Sequence, residues 1–216
     1  MLLWITEGEG AALGPVTVEG ARLCRAVLPG AGLLWRQRRG LLWRRIRRLG
    51  FHRAVMAPAL CAEAAQYGVA PLSPAALRQA LLPQLYERCA VCTAPAAALR
   101  APYADGAVYE AAAFLARRVR YLQLEIPRGA EALADFLRRE YGLCDSGAGL
   151  AVCGGVSFSG PPRCAEVCLG EDGWLYQQAA YTLNGRPIPE ELLAALWETG
   201  AVQPAEIRVT SVAGRA

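Results

Sequence analysis

Residues 96–142 read AAALRAPYADGAVYEAAAFLARRVRYLQLEIPRGAEALADFLRREYG, and their pattern decides the fold class. Ala96–Leu99 is a short apolar run that leads into a turn with Pro102 and Gly106. Val108, Ala111, Ala112, Leu115 and Val119 share one helical face, which predicts a helix from Val108 to Val119. Tyr121–Ile126 alternates, with Leu122, Leu124 and Ile126 opposite Gln123 and Glu125, which predicts a strand. A second helix is expected over Ala130–Tyr141, with Leu133, Phe136, Leu137 and Tyr141 as its stripe. Its acids (Glu131, Asp135) come early and its arginines (Arg138, Arg139) late, as the helix dipole favours, and Gly142 stops it. The rhythm is β-α-β-α.

The same alternation extends outward. Leu2–Ile5 and Ala54–Ala57 are short strand candidates, while Val18–Val27, Leu41–Leu49 and Ala59–Tyr67 fit helical stripes. Ser73-Pro74 starts another helix, which Pro83 should kink or split. Leu150–Cys153, Ala165–Leu169, Trp174–Leu183 and Ile207–Val212 are expected strands. Asn184-Gly185 is a turn, and a helix opens at Pro189 and ends at Gly200. Strands separated by helices predict an α/β fold built on a mostly parallel sheet with helices on both faces. The length of 216 residues suits one domain, 1–216, with a seam near Ala90–Pro95 that would divide it into halves 1–92 and 93–216.

Composition narrows the function classes. An apolar content of 54% belongs to a globular chain. No apolar run approaches the ~20 residues that span a bilayer. The first residues lack a basic region, and Glu7 and Glu9 interrupt the first apolar run, so no signal peptide is expected and the predicted location is cytoplasmic. All 23 basic residues are arginine, as in a GC-rich, bacterial coding sequence. Without lysine, Schiff-base chemistry and the P-loop ammonium are excluded. His52 is the one histidine, so any Ser-His or Cys-His arrangement would have to use it.

Over residues 96–154 the chain resembles the Rossmann fold, the NAD(P)-binding type of α/β fold, in general and no narrower family. The resemblance implies a nucleotide at the first β-α turn, held by G-x-G-x-x-G at a helix N-terminus. It nominates Tyr103, Asp105 and Gly106 in the turn 100–106, and Gly154 and Gly155 beyond a later strand. Glu125, 19 residues beyond Gly106, stands where that pattern puts an acid on the ribose hydroxyls. The bland alternative for Glu125 is the polar face of a half-exposed strand. This turn departs from the pattern because only Gly106 of the glycines is present. Asp105 can cap the helix with its own carboxylate, which occupies the free N–H groups and repels phosphate. NAD(P) is therefore disfavoured, and the leading expectation is a nucleotide- or small-molecule-binding protein with no identifiable catalytic machinery.

Two further features stand out. Residues 32–53, GLLWRQRRGLLWRRIRRLGFHR, contain Arg36, Arg38, Arg39, Arg44, Arg45, Arg47, Arg48 and Arg53, with Trp35 and Trp43 between them. The plain reading is an amphipathic helix that packs Leu42, Ile46 and Leu49 inward. The alternative function is a non-enzymatic interaction protein whose segment 36–53 contacts nucleic acid, an anionic membrane or an acidic partner. A continuous unpaired basic face would favour that alternative, and arginines paired with acids would favour the plain reading. Among the eight cysteines, Cys89 and Cys92 form C-x₂-C, and Cys164 and Cys168 form C-x₃-C. These four are weak metal candidates, because the 72 residues between the pairs exceed a compact zinc-site spacing.

Overall fold

A computed structural model describes residues 2–32, 34–89, 96–143, 154–163 and 165–214. The chain is an α/β protein that forms two compact units. The first comprises residues 1–73 and 188–206, and the second 74–187 and 207–216. Among the described residues, no helix is long and apolar enough to cross a membrane.

In the first unit, β1 (Leu2–Gly8), β2 (Ala12–Val18), β3 (Ala21–Pro29), β4 (Arg53–Val55) and β5 (Ala70–Pro71) form one sheet in the order β2-β3-β1-β4-β5. All neighbours are parallel except β2, which pairs antiparallel with β3. The stretch Val18–Val27, expected to be helical, is instead the turn and most of the returning strand of the β2–β3 hairpin. Glu19 (φ 45°) and Gly20 (φ 81°) turn the chain with both residues left-handed, the geometry that matches the twist of paired strands. From there Ala21, Leu23 and Ala26 are buried while Arg22 and Arg25 are exposed. Helix α1 (Trp35–Arg48) follows, then α2 (Cys61–Gln66) and, after the chain returns, α8 (Glu190–Glu198). The core joins Leu3 and Ile5 of β1, Ala26 and Leu28 of β3, and Trp43 and Ile46 of α1. Trp43 stacks on Tyr67, with ring centroids 5.6 Å apart.

The second unit opens with α3 (Ala75–Ala80) and α4 (Leu82–Cys89), split just before Pro83 as expected. Then come β6 (Ala96–Arg100), α5 (Gly106–Ala116), β7 (Tyr121–Glu125), α6 (Ala130–Tyr141), β8 (Gly155–Ser157) and β9 (Glu166–Cys168). Their sheet runs β7-β6-β8-β9 and is parallel throughout. The expected strand at 150–153 lies outside the described residues. Helix α7 (Gly173–Tyr176) precedes β10 (Gln177–Leu183), so the long strand expected from Trp174 begins three residues later. Asn184 and Gly185, both at positive φ, turn β10 into β11 (Arg186–Ile188). β10 also pairs antiparallel with β12 (Ile207–Gly214), giving a third sheet in the order β11-β10-β12. The strands thus divide among three sheets, one parallel, one mixed and one with an antiparallel β10–β12 pair. At the edge strand β12, the Gln84 side chain accepts from Val209 N–H at 3.0 Å and donates to Ile207 C=O at 3.1 Å.

Candidate functional site

In the parallel sheet of the second unit, β6 connects through α5 to β7 on one side. The chain then returns past β6 to β8 on the other. The carboxyl ends of β6 and β8 therefore flank a topological switch point, where open α/β sheets leave a crevice. A cleft of about 150 Å³ lies there, lined by Pro102, Tyr103 and Asp105 after β6, Phe158 after β8, and Gly170 and Glu171 after β9. Gln79 of α3 and Val108 of α5 complete its wall.

The loop after β6 is held by backbone bonds to the segment after β7: Ala101 N–H donates to Glu125 C=O at 3.3 Å, and Ala104 N–H to Arg128 C=O at 3.0 Å. Asp105 adopts an extended backbone, and its carboxylate accepts from Val108 N–H at 3.0 Å, capping α5. Tyr103 stands at the cleft mouth, 55% exposed. The loops after β8 and β9 pack so closely that a Cβ on Gly170 would overlap the Phe158 carbonyl.

The structure brings two of the nominated residues, Tyr103 and Asp105, to this cleft. Gly106 is the first residue of α5. Glu125 is engaged elsewhere, in an ion pair with Arg163 at 2.7 Å. Gly154 belongs to the sheet, its carbonyl accepting from Ala98 N–H at 3.0 Å. Gly155 lies inside β8, where a Cβ would overlap the Ala98 carbonyl oxygen. Its role there is close strand packing. Sequence reasoning missed Gln79, Gly170 and Glu171 as lining residues; Gly170, following an apolar strand, carried the one local signal. Ser157 closes a local turn, donating to Ser159 C=O at 2.7 Å.

The charges beside the cleft brace the sheet. Arg100 and the buried Glu166 pair at 2.5 Å. Glu166 also accepts from Arg163 N–H at 2.7 Å, and Arg100 donates to Pro161 C=O at 2.8 Å. Arg78, 1% exposed, donates to Cys168 C=O at 3.0 Å and Gln177 C=O at 2.5 Å.

Cys89 and Cys168 meet at the Gln177 side chain. Its amide donates to Cys89 Sγ at 3.7 Å, and its carbonyl oxygen accepts from Cys168 N–H at 3.0 Å. Cys92 and Cys164 lie outside the described residues. Burial pushes the Cys89 thiol up and the Cys168 thiol up to about 11, so both sulfurs are neutral thiols at neutral pH. Among the described residues, no group of three or more His, Cys, Asp or Glu side chains is arranged to hold a metal ion.

In the first unit, a cleft of about 370 Å³ lies at the carboxyl ends of β1 and β3, bounded by Glu7, Trp35, Arg36, Arg39, Glu63 and Tyr67. Arg39, 9% exposed, donates through Nε to Glu63 at 2.8 Å and through Nη1 to Glu7 at 2.7 Å. Trp43 Nε1 also donates to Glu63, at 2.8 Å. Burial opposes the charge on Glu63. The hydrogen bonds from Arg39 and Trp43, with the Arg39 charge, outweigh it and hold the carboxyl below the ordinary glutamate range. Arg39 is thus paired inward, whereas Arg36, Arg38, Arg44, Arg45, Arg47 and Arg48 are exposed.

Fold and sites together define an α/β protein with a crevice at a sheet switch point. Comparison with family models, curated proteins and solved structures finds no match.

Proposed function

We propose that this is a Rossmann-like, small-molecule-binding protein that holds its ligand at the switch point between β6 and β8, without catalysing its conversion. The observation that carries this reading is the cleft itself: about 150 Å³, at the carboxyl edge of the parallel sheet and lined by the loops that follow three neighbouring strands, β6, β8 and β9. The order β7-β6-β8-β9 is second-first-third-fourth in local numbering, the flavodoxin-like arrangement of nucleotide-binding sheets.

The lining suggests the ligand class. Pro102, Tyr103 and Phe158 offer flat surfaces, while Asp105 and Gln79 offer oxygen acceptors. That combination suits a planar, uncharged or cationic molecule rich in hydrogen-bond donors, such as a nucleobase or nucleoside. It does not suit phosphate, because the Asp105 carboxylate occupies the α5 N-terminus and would repel one. The full dinucleotide is not proposed for the same reason.

A thermal-shift screen of nucleobases, nucleosides and their 5′-phosphates tests the reading. A nucleoside at about 100 times its Kd should stabilise the protein by about 2.7 kcal/mol. That corresponds to a rise in Tm of about 5–10 °C. The matching phosphate should give a smaller rise, and Tyr103→Ala should remove the effect. No shift with any base or nucleoside, or a larger shift with the phosphates, would count against it.

A further inference from the structure

Helix α1 of the first unit carries a second surface, independent of that cleft. Its buried side is Arg39, Leu42, Trp43 and Ile46. The other six arginines, Arg36, Arg38, Arg44, Arg45, Arg47 and Arg48, are exposed, and no acidic residue falls within Trp35–Arg48. At about 100° per residue they spread over roughly 200° of the helix circumference. Arg47 turns to His52 and to the Gly68 carbonyl. Among the described residues, the other five have no carboxylate partner.

Exposed leucines share this surface. Leu41 stands within the arc at 63% exposure, and Leu34 (54%) and Leu49 (57%) flank the two helix ends. A purely solvated basic face gains nothing from three exposed leucines. A nucleic-acid backbone does not use them either, and the arc lacks the aromatic rings on which bases stack. Trp43 is fully buried against Tyr67. Trp35 is half-buried, with the Arg36 and Arg39 guanidinium groups 5.5 and 5.9 Å from its ring centre. An anionic bilayer satisfies both components, since its headgroup phosphates take arginines and its acyl boundary takes leucines.

We infer that the exposed face of α1 docks on an anionic lipid surface, with Arg36, Arg38, Arg44, Arg45 and Arg48 on the headgroup phosphates and Leu34, Leu41 and Leu49 entering the acyl boundary.

The test is co-sedimentation of the full chain with vesicles of phosphatidylcholine, with and without one-third phosphatidylglycerol, at low and moderate salt. Binding to the anionic vesicles should be at least tenfold tighter than to the neutral ones, because each arginine near such a surface is drawn to its negative potential. It should weaken as salt rises. Replacing Leu34, Leu41 and Leu49 together by serine should lower it about tenfold. Arg44→Glu with Arg48→Glu should abolish it. All five positions are exposed, so circular dichroism should show an unchanged fold; Leu41→Ser alone serves if the triple variant is unstable. Equal binding to both vesicle types, or no binding, overturns the inference. So does anionic binding that survives the leucine replacements. Tighter binding to a DNA duplex than to the vesicles, unaffected by those replacements, would identify a nucleic-acid face instead and equally overturn it.

Discussion

Glu63 and Arg39 show how one ion pair can organise a helix that is otherwise all positive charge. Of the seven arginines in α1, Arg39 is the one turned inward, and Glu63 receives its Nε while Glu7 receives its Nη1. Trp43, one turn further along, donates to the same Glu63 carboxylate. Glu63→Gln removes the charge that two buried donors address, at a cost of about 2 kcal/mol at pH 7. The pH dependence has a definite sign. The folded carboxyl titrates below its unfolded value of about 4.3, so its contribution is fully present above that pH. It is lost as pH falls through the folded value. Thermal melts should therefore show wild type above Glu63→Gln at pH 7, with the gap closing below about pH 4. A constant gap from pH 7 to pH 3 would mean that the pair contributes little.

At the scale of elements, local signals and pairing signals fared differently. Helix α6 is legible to the residue, because its apolar stripe, its charge order and the left-handed Gly142 all lie within one segment. Helix α5 is capped by Asp105, which the sequence also shows. Asp105→Ala should cost about 1 kcal/mol. In a Tm measurement that is a fall of about 2–4 °C, with the N–H groups of the α5 first turn exchanging faster in hydrogen-exchange measurements. The hairpin β2–β3 was not legible in the same way. Val18, Arg22, Leu23, Ala26 and Val27 fit a helical stripe, while Ala21, Leu23 and Ala26 fit strand burial less regularly. What separates the two is the Glu19-Gly20 turn, whose left-handed backbone brings β2 onto β3. The cleft divides likewise. Tyr103 and Asp105 follow β6 directly and could be nominated from the chain alone. Gln79 and Gly170 reach it only through the topology, which one sequence without pairing information does not contain.

For the whole molecule, connectivity matters as much as packing. The chain leaves the first unit after Ser73, returns to it at Ile188 and leaves again after Glu206. Helix α8, with Leu192, Leu193, Ala194, Ala195 and Leu196 buried, is the piece that comes back. Its inner face packs on β4 within that unit. Strand β12 is likewise needed by the second unit, where it pairs with β10 over seven residues. Ending the chain at Pro187 removes α8 and β12 together. The shortened protein should lose its cooperative melt, and circular dichroism with dye-binding calorimetric scans would show this. A sharp transition near the full-length Tm would mean that both units complete their cores without those elements.

The return of the chain at Ile188 also sets a schedule during synthesis. Residues 74–206 must follow Ser73 out of the ribosome before the first unit can close over β4. At about 5–20 residues per second, that interval is roughly 7–27 s. Throughout it, the apolar surface later covered by α8 stands open on a nascent chain. The first 73 residues of the protein thus wait for α8, its last α-helix, before their core is complete.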